Sequence, residues 1–117
     1  MFHHADHVRL AFEYLRRSTA IEALDKFSDA LQRFAASQGK ADRYHETITW
    51  AYLFLIRERM ARGTSTQTWE QFAEHNPDLL VWRPSLLDHY YRKQTLDSDL
   101  ARKTFIFPDR IVSEPAT

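Results

Sequence analysis

Two glycines and four prolines are the strong backbone breakers in 117 residues, and that scarcity limits the fold before any other feature is read. A sheet of many short strands needs tight turns, and tight turns need residues that accept positive φ or supply a fixed one. Long helices need neither. The expected class is therefore all-α: an up-down helical bundle with three long N-terminal helices, shorter C-terminal helices and an extended C-terminal strap.

The apolar spacing agrees. Across residues 20–37, Ile21, Leu24, Phe27, Leu31 and Phe34 recur at steps of three and four, while Glu22, Asp25, Lys26, Asp29 and Arg33 fill the other face. That is one inward stripe on a 3.6-residue helix. Thr19 and Glu22 have capping-box spacing at its start, and Gly39 suits its C-terminal end. A first helix over about residues 4–17 puts Val8, Ala11, Phe12 and Leu15 on one face. A third, over about 42–62, opens on Asp42 as N-cap and closes before Gly63. Its centre, 48–56, is apolar nearly all round, which predicts the buried middle of the bundle.

Past the polar stretch 63–67, shorter helices are expected over 68–75, 84–93 and 95–103. A turn is expected at Asn76-Pro77, with Pro84 at a first helical position. Residues 104–107 are apolar and β-prone but stopped by Pro108, which predicts a strap across the bundle. One helical domain is expected over 1–117, with a loosely held tail at 111–117.

Composition narrows the function classes. Lys plus Arg equals Asp plus Glu at 16 each, so no net field recruits nucleic acid or an anionic membrane. The absence of cysteine removes disulfides, thiolate zinc sites, iron–sulfur clusters and cysteine nucleophiles. The first residues lack the basic and apolar regions of a secretory leader, and the longest near-apolar run, 50–56, is far below the ~20 residues a bilayer span needs. These features predict a soluble cytoplasmic protein without nucleic-acid or membrane partners.

The histidines carry the sharpest chemistry. His4 and His7 stand i, i+3 on the first helix, near the stripe of Val8, Ala11 and Leu15. His45 falls on the stripe of Ile48, Tyr52 and Ile56. In an up-down bundle the first and third helices run parallel, so their starts meet at one end. His4, His7 and His45 then converge as a three-imidazole set suited to a divalent transition metal (Zn, Fe, Cu or Ni), with a position left for water or substrate. Positive charge at helix starts favours the neutral, metal-binding imidazole, and Glu46 is the outer-shell candidate. The plainer account is that these are capping or surface histidines.

Tyr14, Tyr44, Thr49, Tyr52 and Arg59 are candidates to line a pocket beneath that site, against the alternative of aromatic core residues with hydroxyls at the rim. His89 reads as exposed. No nucleophile elbow, phosphate loop, dinucleotide fingerprint or His-Glu-x-x-His motif is present. In architecture alone, an imidazole cluster at the end of a helical bundle is similar to the DinB-like and hemerythrin families, and no residue is carried over from them. The expected function is a small metal-dependent enzyme, an oxidoreductase or hydrolase, acting on a small molecule. The alternative is a non-catalytic module that dimerises or binds a protein partner through its aromatic-rich C-terminal half: Trp69, Phe72, Trp82, Tyr90, Tyr91, Phe105 and Phe107.

Overall fold

The computed structural model describes residues 3–64 and 66–110. Within them the chain forms seven α-helices and no strand: α1 His4–Arg17, α2 Ala20–Ser37, α3 Glu46–Arg62, α4 Trp69–His75, α5 Pro77–Leu80, α6 Lys93–Leu96 and α7 Asp99–Lys103. Two 3-10 turns, Ala41–Arg43 and Leu86–His89, complete the regular structure. The expected loose tail at 111–117 lies outside the described residues.

The first two helices have the expected bounds because their signals are local. Thr19 caps α2: its hydroxyl accepts the Glu22 amide at 3.2 Å while the Glu22 carboxylate accepts the Thr19 amide at 3.2 Å. Gly39, at φ 68°, takes the left-handed geometry that lets the chain leave α2 at little cost. The contacts set an up-down course. His7 near the start of α1 meets Phe34 near the end of α2 (ring centroids 6.2 Å apart). Ser28, midway along α2, meets Tyr44 just before α3 at 2.7 Å. His4 packs edge-on against Tyr52 in the first half of α3, 4.8 Å between centroids, so α1 and α3 begin at the same end.

The core lies between these helices, with Val8, Phe12, Phe27, Leu53, Ile56, Phe72, Leu79, Leu87 and Tyr91 inside it. The α2 stripe is only partly spent there. Phe27 is buried, Leu24, Leu31 and Phe34 are half-buried, and Ile21 is 82% exposed, a correction to its inward assignment. In the first turn of α2 it is Ala23 that is buried and Ala20 that packs against the core, which leaves Ile21 on the outer face, whereas Leu31 and Phe34 wall a cavity described below.

Four further expectations change. The third helix begins at Glu46 with His45 as N-cap, and Asp42 falls in the separate 3-10 turn before it. Asn76-Pro77 opens α5, where proline suits the first position because its missing N–H has no intrahelical acceptor there. The helix expected over 84–93 is a 3-10 turn capped by Ser85, and the Arg83–Pro84 peptide is cis. The helix expected over 95–103 is two short pieces, because the Ser98 hydroxyl accepts the Ala101 amide and starts a new helix.

The strap is present. Buried Thr47 on α3 stitches it down: its hydroxyl donates to the Thr104 carbonyl at 2.8 Å and accepts the Ile106 amide at 3.1 Å. Tyr91 donates to the Ile106 carbonyl at 2.6 Å, and Phe105 stacks on Trp50 with centroids 5.2 Å apart. Beyond it, Asp109 accepts the Arg92 amide at 3.1 Å and the Thr95 hydroxyl. No described helix is long and apolar enough to cross a membrane.

Candidate functional site

The shared start of α1 and α3 holds a two-part cavity. An inner chamber of about 90 Å³ has His4, His7, Thr49, Tyr52 and Trp82 among its walls. It adjoins an outer one of about 830 Å³, bounded by His7, Phe34, Tyr44, His45, Trp82 and Arg102 among others. His7, Leu31, Ile48, Thr49 and Trp82 belong to both. At the C-terminal half of α2, Leu31 and Phe34 are only half-buried and wall the outer chamber, with Phe34 meeting His7 of α1.

Each histidine has a distinct duty. His4 Nε2 lies 2.9 Å from the Leu79 carbonyl. A carbonyl only accepts, so Nε2 carries the proton and donates. Its ring is held between Tyr52 and Trp82. His45 caps α3: Nδ1 accepts the Ile48 amide at 3.1 Å, which puts its proton on Nε2, and Nε2 donates to the Leu96 carbonyl at 2.7 Å. His7 faces Phe34 edge-on and stands at the junction of the two chambers.

All three imidazoles are held below their ordinary pKa. Burial is the main cause for each, opposed at His4 by the Leu79 hydrogen bond. The neighbouring His4 lowers His7 further, against Asp6. At His45 the Leu96 bond opposes burial while Arg102 adds to it. The site thus presents neutral imidazoles at pH 7.

The expected single ligand sphere of His4, His7 and His45 is not what these contacts form. Among the described residues no three His, Cys, Asp or Glu side chains are grouped to hold a metal ion. The cause is the position of His45. Expected one turn inside a helix beginning at Asp42, it is instead the N-cap, and its ring turns back onto the first amides of its own helix. Glu46 likewise turns from His45 and accepts the Tyr44 hydroxyl at 2.6 Å.

Of the pocket candidates, Thr49, Tyr52 and Tyr44 line the cavity. Thr49 donates to the His45 carbonyl at 2.8 Å and Tyr52 pairs with Ser85 at 2.9 Å. The Tyr44 phenol is pushed up by burial and by its bond to Glu46. Arg59 is elsewhere: it grips Asp78 through both terminal nitrogens at 3.0 and 2.8 Å and Asn76 at 2.9 Å, tying α3 to α5. Tyr14 packs against the core and not the cavity. His89 is exposed as expected.

Sequence reasoning missed Arg83, Arg102, Lys40 and Arg43 and assigned Trp82 to a partner surface, yet all five complete the outer wall. They come from three separated segments, so no spacing rule joins them. The one local signal was Trp82-Arg83-Pro84, a large aromatic and a cation beside one of only four prolines. No family model, no curated protein and no solved structure matches the chain.

Proposed function

We propose that this chain is a helical small-molecule-binding domain whose ligand seats in the cavity between α1, α2, α3 and the 82–85 loop. The carrying observation is convergence: three neutral imidazoles, two tyrosines, a threonine and a tryptophan surround one opening in a chain whose other polar groups lie mostly at the surface. Pockets of this kind, apolar walls with a few placed polar groups, are the usual form of ligand sites. His7, at the junction of the chambers, is the group best placed to exchange a proton with a ligand, since a neutral imidazole near physiological pH can accept one.

Ligand-observed NMR with a library of small organic molecules on the full chain tests this. Binders should lose their signal with His7→Trp, which fills the junction, and keep it with Phe107→Ala on the distant strap. Binding that survives His7→Trp and disappears with Phe107→Ala would overturn the cavity reading.

A metal-dependent reading has one supporting observation, the adjacent neutral imidazoles of His4 and His7, and a stoichiometric zinc isotherm removed by His7→Ala would favour it. The interaction-module reading has another. Phe107 is 79% exposed, and Phe54, Phe105, Tyr90 and Pro108 edge an apolar groove of about 350 Å³. Several aromatics invoked for it are spent inside, however: Phe72 and Tyr91 are core, and Trp69 packs on Phe12.

A further inference from the structure

The wall of the outer cavity carries charge of one sign. Lys40 and Arg43 follow α2, Arg83 precedes Pro84 and Arg102 stands on α7, and among the described residues no Asp or Glu joins them. In a chain with equal numbers of acids and bases this is a local segregation. Elsewhere six cations, Arg16, Arg17, Arg33, Arg59, Arg62 and Lys93, each pair with a carboxylate. Among the described residues none of the four cavity cations does.

Arg102 is the most specific of them. Its Nη1 donates to the Asp42 carbonyl at 3.0 Å, which anchors one arm of the guanidinium. Its Nε is buried and has no hydrogen-bond partner. A buried donor left without an acceptor is costly, and a charged one more so. Arg83 and Arg102 also border a second hollow, but Asp88, Asp97 and Lys93 give that one mixed charge. An anion is therefore favoured on the carboxylate-free side. Leu31, Phe34, Ile48 and Trp82 supply apolar surface next to the cations.

We propose that the ligand is a small organic anion, a carboxylate or phosphate monoester with an apolar body. Arg102 and Arg83 hold the acid group, and the body lies against Trp82 and Leu31. This rests on the small-molecule reading above and narrows it to a chemical class. Guanidinium suits the task because its planar donors match the oxygens of either acid group.

The test compares matched probes on the full chain by ¹⁵N NMR titration, following the Trp82 indole and Arg102 Nε–H signals. The probes are 3-phenylpropionate, phenyl phosphate, the neutral 3-phenylpropanamide and inorganic phosphate. The acids should shift both signals and bind about tenfold more tightly than the amide. Inorganic phosphate alone should bind more weakly than phenyl phosphate, because it lacks the body. Arg102→Gln and the exposed Arg83→Gln should each weaken the preferred acid about tenfold and leave the amide unchanged. The tighter of the two acids decides between carboxylate and phosphate. An amide that binds as tightly as the acids, with both Gln variants unaffected, overturns the anion assignment and leaves the cavity reading standing. If neither acid nor amide shifts the cavity signals, the cavity reading fails and the anion assignment with it.

Discussion

His45 joins three functions in one ring: it caps α3 through Nδ1, ties α3 to the Leu96 carbonyl through Nε2, and walls the cavity. The cap works only while Nδ1 is unprotonated, and burial keeps it so by lowering the pKa. The same direction holds for His4 and His7. A histidine whose folded pKa lies below its unfolded value of about 6.5 takes up its proton on unfolding. Its stabilising contribution is full above about pH 6.5 and declines as pH falls from there toward the folded value. Stability should therefore drop on acidification through this window. His45→Asn, which can cap without titrating there, should cost about 1 kcal/mol at pH 7.5 through the lost Leu96 bond and flatten the drop. Urea midpoints between pH 7.5 and 5 check this, and parallel curves for the two proteins would show that His45 carries none of the pH dependence. The sequence pointed to the neutral imidazole through the positive charge at helix starts, whereas the main cause in the structure is burial. The direction of the His45 ring was not legible. Asp42 and His45 are both plausible caps three residues apart, and the 3-10 turn that decides between them depends on packing.

At the scale of elements, the chain separates those defined by local chemistry from those defined by tertiary contacts. The bounds of α1 and α2 followed from capping and spacing that lie within each helix. The C-terminal pieces did not, since the stretch read as a helix over 84–93 forms only a 3-10 turn capped by Ser85, and Ser98 splits the one read over 95–103. The strap is the clearest tertiary element. It has no ladder of its own, and its Thr104 carbonyl and Ile106 amide are satisfied by the one hydroxyl of Thr47. Thr47→Val keeps the shape and removes both bonds, so it should cost about 1–3 kcal/mol and speed hydrogen exchange at Ile106. A loss below about 0.5 kcal/mol would mean that the Phe105–Trp50 stack and the Tyr91 bond to the Ile106 carbonyl hold the strap without Thr47.

For the molecule as a whole, the up-down course of the first three helices brings the starts of α1 and α3 together, and this much could be read from helix order and short connections. It also placed the histidines at one end. What that end encloses could not be read. The outer wall combines residues from the turn after α2, the 82–85 loop and α7, which approach only after the C-terminal half has folded back, as the Arg102 bond to Asp42 across 60 positions illustrates. Whether ligands enter this cavity decides the proposed function. The most direct measurement is a crystal structure of the full chain soaked with small organic fragments. Density enclosed by His7, Thr49 and Trp82 is the predicted result, whereas density confined to the groove beside Phe54, Phe105 and Tyr90 would contradict it.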